Sequence, residues 1–315
     1  MTAFLFVSTV LIWGTTWIAI AIEVGPVPVL VSVFYRFAVA ALILLVALVM
    51  TRRLKLPPLR DQPFVLAQAL CLFCCNFICF YEAESLIPSG LVSVIFSLST
   101  IFNAIGARVF FGTPITGRMT SAAALGVAGL AILFGRDIAV GLGRDTLAGL
   151  ALAVAGTVFF SLGNMASRRN SAAGISPVTA NAWGMAYGSA VLLALIGLTG
   201  TPMLVPHDSR YIVALLYLAA IGSVVGFTAY LSLVARIGSS KAAYATVLFP
   251  IVALALSTMF EGYRWHWTGF VGLAVTLAAN LVIFWDGFST VKRPVDMHGP
   301  ILTDDSSAEV AVSSR

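Results

Sequence analysis

Apolar residues in this chain come in long blocks separated by short polar or Gly/Pro-rich breaks. A strand-like alternation is absent, and few blocks show a single polar stripe at helical period. A bilayer core of about 30 Å needs roughly 20 apolar residues per helix. Runs of that length fall at about 3–22, 29–50, 63–83, 89–109, 118–135, 146–166, 177–198, 210–233, 241–260 and 266–286. The breaks carry the residues that stop helices: Gly25-Pro26, Pro57-Pro58, Pro88-Ser89-Gly90, Gly112-Thr113-Pro114, Gly174, Pro202 to Pro206, and Gly238. The pattern predicts an all-α membrane protein of ten transmembrane helices. The first run has no basic residue ahead of it, so residues 3–22 read as a permanent helix and not a cleaved signal.

Composition supports lipid as the solvent. Of 315 residues 60% are hydrophobic and 10% charged, against roughly 25% charged in a soluble domain. The net charge of +5 has no basic face or motif behind it, which argues against nucleic acid. It reads as loop topology instead. One side would carry Arg52, Arg53, Lys55, Arg60, Arg108, Arg118, Arg168, Arg169, Arg236, Lys241, Lys292 and Arg293. The other would carry Arg136, Arg144, Arg210 and Arg264. The richer side is expected in the cytoplasm of a cell with a bacterial-type inner membrane, with both termini there.

Shifting the chain by 149 or 150 residues superposes landmarks: Gly14 on Gly163, Pro28 on Pro177, Phe77 on Phe227, Phe80 on Tyr230, Ser89 on Ser239, and Gly112 on Gly262. Helices 1–5 and 6–10 are therefore expected to be copies. Residues 1–140 form the first repeat, 141–287 the second, and 288–315 a disordered cytoplasmic tail. Five is odd, so the second copy enters the membrane from the opposite face. Inverted repeats of this kind place a substrate site near the midplane, in a central cavity between the copies.

Trp13-Gly14-Thr15-Thr16-Trp17, then Pro28 and Tyr35-Arg36-Phe37, resemble the first repeat of the EamA-type transporters of the drug/metabolite transporter superfamily. Phe249-Pro250-Ile251 followed by Phe260-Glu261-Gly262 is similar to the helix 9 signature of the second repeat. The likeness covers residues 3–286. Thr113 stands where family members often carry a Glu after Gly. The resemblance implies ten helices, inverted repeats, a central cavity and transport of small organic solutes, with amino-acid exporters among the characterised members.

Ionisable groups at membrane depth are functional candidates, and Arg36 is the clear one. It could bind a substrate carboxylate as a forked donor; the favoured reading is a structural pair with Glu84, Glu82 or Glu23. Asn76, Phe80 and Glu84 share one face of helix 3, opposite the cysteines. In helix 4, Ser89, Ser93, Ser97 and Thr100 form a stripe, and in helix 9 Thr246, Pro250, Ala253 and Ser257 align. Pro250 frees a backbone carbonyl, which suits a binding region or a hinge. The candidate substrate-binding residues are Trp13, Thr15, Trp17, Arg36, Asn76, Phe80, Ser97, Trp183, Phe227, Tyr230, Thr246 and Pro250. Trp265, Trp267 and Trp285 read as interfacial anchors.

Cys71, Cys74, Cys75 and Cys79 lie in one apolar run. A single helix cannot close four thiolates round one ion, so they read as small packing residues and no metal is expected. No phosphate loop, catalytic residue or cofactor motif is legible, nor any ATPase partner. The chain is expected to act as a monomer among lipids. The leading expectation is a secondary transporter or facilitator moving amino acids outward. Export of other small organic solutes or drugs is the alternative. A membrane-embedded enzyme acting on a lipid would need acids, His or Arg clustered at one membrane face, which the sequence does not show. Glu23, Glu82, Glu84 and Glu261 fall at outer helix ends, so transport is expected to run without an imposed proton gradient.

Overall fold

The computed structural model describes residues 2–134, 143–237 and 244–284. The proposed boundary at 140/141, Ser239, Trp285 and the tail lie outside the described residues. Among these, regular structure is helical: α1 (Thr2–Glu23), α2 (Val29–Met50), α3 (Leu59–Glu84), α4 (Ser89–Phe111), α5 (Gly117–Leu133), α6 (Arg144–Ala172) and α7 (Pro177–Thr199). Then come α8, built from the consecutive runs Ser209–Leu216, Tyr217–Val225 and Gly226–Ile237, α9 (Tyr244–Phe260) and α10 (Trp267–Phe284). Seven of these, α1 to α4 and α6 to α8, are long and apolar enough to cross a membrane. The remaining three contain shorter apolar helices, Gly117–Leu133, Leu248–Phe260 and Trp267–Val282.

The distribution of side chains is that of a protein dissolved in lipid. Leu42, Val49, Met50, Leu198, Val213 and Leu216 are exposed, whereas Thr9, Ser32, Ser93, Thr157, Ser161, Ser189 and Asn280 are buried. Water would penalise such an outer surface. In a bilayer the apolar rim costs nothing, and helices associate through small residues and interior hydrogen bonds. Several buried hydroxyls satisfy themselves locally, donating to a carbonyl three or four residues back: Thr157 to Ala153, Ser93 to Gly90, and Ser189 to Met185.

Each helix packs in a pattern that exchanges the two halves. Helices α2 and α7 pack on each other, as do α5 and α10. Helix α1 lies against α8 and α9, and α6 lies against α3 and α4. Backbone conformation follows the same offset. Gly25 (φ 107°) and Gly174 (φ 85°) precede α2 and α7; Gly112 (φ 67°) and Gly262 (φ 69°) precede α5 and α10. These left-handed turns strain an L side chain, so glycine at all four positions has a backbone cause. A π-helical stretch also interrupts α3, at Leu70–Cys75, and α8, at Tyr217–Val225. Such bulges turn the following helix face and frequently accompany functional sites.

Helix α6 runs past its expected end at residue 166 to Ala172. Its last turns carry Arg168 and Arg169, which need not leave the helix to find partners. Arg169 donates to Asp61 at 2.7 Å and lies 3.6 Å from the Phe64 ring centre; Arg168 lies 4.3 Å from that of Phe111. Near them Gln68 joins Asn181 and Asn170 at 3.0 Å each, fastening α3 to α7 and α6. Cys74 donates to the Gly188 carbonyl at 3.3 Å in the α3–α7 contact. All four cysteines are free thiols.

Candidate functional site

A cavity of about 60 Å³ lies between α1, α2, α3, α4, α6, α8 and α9. The residues that follow the two π-bulges reach it: Asn76 and Phe77 after the first, Phe227 after the second. Most of its wall is aromatic. Trp17 packs on Phe80, Phe96 and Phe249 with ring centres 5.4, 5.5 and 6.1 Å away. Trp13 packs on Phe227 and Tyr230 at 5.5 and 5.0 Å. The polar side chains in the lining are Thr16, Arg36 and Asn76.

Two of those polar groups are incompletely satisfied. Arg36 is 3% exposed, its Nε donates to Ser223 Oγ at 3.4 Å, and its guanidinium carbon lies 4.4 Å from the Phe77 ring centre. Its Nη1 has no protein partner. Asn76 is 1% exposed and its Oδ1 is likewise unpartnered. Leaving a buried polar atom unpaired costs about 1–3 kcal/mol, more for a charged one. A cation–π contact with Phe77 offsets part of the desolvation of Arg36. The expected ion pair between Arg36 and a glutamate is absent among the described residues. Glu23 accepts instead from Tyr81 Oη at 2.8 Å, and Glu84 has no hydrogen bond at either oxygen. Arg36 instead reaches Ser223 of α8 and the cavity, with Glu23 and Glu84 within electrostatic range but not hydrogen-bonded to it.

The structure distributes the sequence-predicted residues among several environments. Trp13, Trp17, Arg36, Asn76, Phe80 and Phe227 line the cavity together. Tyr230 lines a second cavity that shares Trp13, Leu72, Phe160 and Phe227 with the first and continues toward Asn103, Ser167 and Pro177 at the arginine-rich helix ends. Thr15 points away, into a lateral groove between α1 and α8, where its hydroxyl pairs with that of Tyr217. Ser97 is buried against α10, donating to Val94 O and accepting from Asn280. Trp183 sits at the arginine-rich end, its Nε1 donating to Lys55 O at 2.9 Å. Pro250 is buried within α9, next to the cavity residue Phe249. Thr246 belongs to α9, but its side chain lies outside the described residues. Sequence reasoning missed Thr16, Phe96, Phe160 and Phe249 as lining. Phe249 stood in the quoted Phe-Pro-Ile motif; Phe96 and Phe160 carry no local signal, since only the meeting of α4 with α6 brings their rings to 4.6 Å.

At the end opposite the arginine-rich one, Glu261 seals the start of α4. Both of its oxygens lie 3.2 Å from the Ser89 N–H, and Oε2 accepts from Ser89 Oγ at 2.6 Å. A carboxylate at a helix N-terminus is stabilised by the exposed amides there. Beneath it Gly90 meets Leu254 and Ser257 so closely that an added Cβ would lie 2.9 Å from side-chain atoms of both. The ends of α4 and α9 are therefore shut here, and the cavity continues in the other direction. Glu23, Glu84, Glu261 and Arg36 gather at this end, the acids at the helix ends where the sequence placed them.

A closed helical bundle with a lipid-facing apolar rim, and an interior cavity carrying a few buried polar groups, defines a membrane carrier. The EamA-like transporter family model matches the chain twice, over residues 1–135 and 147–285. The chain belongs to the EamA-like transporter family. It is 27% identical to the uncharacterized inner membrane transporter YedA of Escherichia coli (strain K12) over 300 residues, covering 94% of each chain. It is 24% identical to protein PagO of Salmonella typhimurium, covering 82% of this chain and 84% of PagO. A probable amino-acid metabolite efflux pump of Escherichia coli (strain K12) is 23% identical, covering 87% of this chain and 91% of the pump. One solved crystal structure superposes with a TM-score of 0.66 over 91% of this chain and 97% of its own; at 18% identity the likeness concerns the fold.

Proposed function

We propose that the protein moves amino acids with large apolar side chains outward across an inner membrane, by alternating access through the aromatic cavity. The observation that carries this is the joint presence of an unpartnered donor, Arg36 Nη1, and an unpartnered acceptor, Asn76 Oδ1, in one aromatic-walled space. A zwitterion supplies both complements: a carboxylate for the guanidinium and an ammonium for the amide oxygen. The aromatic wall then takes an apolar side chain, and a ligand ammonium gains further from nearby ring faces. A multiply anionic solute would meet one cation and eight aromatic rings, a poor exchange for its hydration.

The finer architecture belongs to the same reading: ten membrane crossings, two inverted repeats split near residue 140, and both termini cytoplasmic. The reciprocal packing of α1 to α5 with α6 to α10, the paired glycine turns and the two stretches matched by the family model support it. The arginine-rich end is then the inner one; the second cavity extends toward it, and the Glu261–Ser89 contact lies at the outer end. The protein works as a monomer, since one chain encloses the cavity.

The test is a thermal-shift screen of purified protein against amino acids and apolar drugs. Stabilisation by Phe, Trp, Leu or Met, lost when the carboxylate or amine is blocked, is the expected result. Stabilisation by planar apolar drugs alone, indifferent to either charged group, would favour the drug-exporter reading, which the aromatic wall also suits.

A further inference from the structure

The outer end holds more ionisable groups than its seal requires. Glu23 is fully buried and Glu84 is 8% exposed. Glu23 Oε2 has the Tyr81 hydroxyl, but Glu84 has no protein partner at either oxygen. Glu84 lies within electrostatic reach of Glu261, Arg36 and Glu23. Glu261 is exposed and is held by Ser89 across the end of α4. Counting charge gives two buried carboxylates against one buried guanidinium. Hydrogen-bonded Glu23 and Arg36 can balance each other at a distance. A second buried anion near the Glu261 carboxylate, with no hydrogen bond of its own, would be strongly disfavoured.

We propose that Glu84 is a proton-binding site that controls the outer face. Closing that face buries Glu84 and requires it to take a proton from the outer solution. Opening the face hydrates Glu84, which returns its proton to the same solution as a carboxylate. The group is placed for this: it ends α3 two turns beyond the cavity residue Asn76 and one beyond Phe80, and α4 begins five residues after it. The charged and titratable groups that surround it are few. Helix α1 presents Glu23, α2 presents Arg36, and the turn after α9 presents Glu261 together with Tyr263, Arg264 and His266, which line a groove with Leu86, Ile87 and Pro88. Helix α3 itself carries Tyr81 and the exposed Glu82, and α6 carries Arg144 and Asp145 at its exposed start. Helix α8 brings Tyr211, which donates to Ser32. Among these only Glu84 is both buried and without any protein hydrogen bond.

This inference rests on the transporter reading for the meaning of "outer", and its test needs no substrate. Spin labels at Ser85→Cys and Met259→Cys, in a background with the four native cysteines replaced by Ala, report the separation of the outer ends of α3 and α9. Both positions are exposed, and neither belongs to the cavity. Electron–electron distances are measured at about pH 5 and about pH 9. The expected result is a short distance at low pH and a longer population at high pH. Glu84→Gln is expected to stay short at both, and Glu84→Asp to keep the pH response. A wild-type distance that ignores pH overturns the proposal, and so does an unchanged pH response in Glu84→Gln. If the Gln variant is not monodisperse, the wild type and Glu84→Asp still decide: loss of the response in both overturns it. A pH response without any amino-acid binding would keep this proposal and remove the substrate reading.

Discussion

At the residue scale Arg36 carries the sharpest prediction. A guanidinium paired to a buried glutamate would leave that acid stranded on removal, and the protein would lose several kcal/mol. Here no carboxylate is bonded to Arg36, and its contacts are Ser223 and the face of Phe77. Arg36→Gln removes a buried charge and one weak hydrogen bond but also the charge that balances Glu23 at a distance, so only a small fall in melting temperature is expected. Affinity for zwitterions is expected to fall roughly 10- to 100-fold, the range of a charge-assisted hydrogen bond. Melting temperature and substrate affinity on one purified variant check both halves. A collapse of stability with affinity preserved would return Arg36 to the structural pair that sequence spacing suggested. That spacing misled for a physical reason. Helix ends can be read to within a turn, but which face of α2 meets α3 depends on packing, and a rotation of one residue separates an ion pair from a cavity-facing donor.

At the element scale the crossing of α5 with α10 is set by glycine. A Cβ at Gly272 would lie 2.6 Å from the Leu133 nitrogen and 2.7 Å from the Gly129 oxygen, both backbone atoms that cannot swing aside. Gly129 in turn meets Thr276, whose Oγ1 an added carbon would strike. The two short apolar helices thus touch backbone to backbone, the arrangement small residues permit in membranes. Gly272→Ala is expected to destabilise by about 1–3 kcal/mol through overpacking. Gly197→Ala, in open space on α7, is expected to be neutral or stabilising by up to about 1 kcal/mol from helix propensity. Melting temperatures of the two variants, measured side by side, separate packing from propensity. The elements themselves were legible in the sequence, because hydrophobic run length and Gly/Pro breaks are local signals. The paired glycine turns were visible too, as landmarks Gly112 and Gly262 at a fixed offset. The π-bulges in α3 and α8 were not, since no residue type marks them, and they decide which side chains after Cys75 and Val225 face inward. The same limit explains Thr15 and Trp183: their apolar surroundings read as deep, yet one faces a lateral groove and the other the arginine-rich end.

At the scale of the whole molecule the position of the acids bears on energy coupling. A proton drives a carrier when one group loads it from one side and unloads it on the other, in step with substrate. Among the described residues the cavity lining contains no Asp, Glu or His. The acids collect beyond it, at the Glu261–Ser89 seal, and the wall between them is the Trp17–Phe80–Phe96 cluster. A proton held on Glu84 in the closed state is released when the outer face opens, to the side from which it came. Such a proton changes how often the outer face opens but adds no free energy to the movement of substrate, because its net transfer is zero. The protein is therefore expected to behave as a facilitator with a pH-dependent rate. Liposomes loaded with unlabelled substrate should accumulate labelled substrate by counterflow without any pH gradient. Imposing a gradient should alter how fast the plateau is reached and leave its height unchanged. In Glu84→Gln the outer face stays shut more of the time, so counterflow should be slow at every outer pH. A plateau that rises with an inward proton gradient and loses that rise in Glu84→Gln would show instead that the proton crosses the aromatic wall with each cycle, and that Glu84 is a coupling group and not a gate.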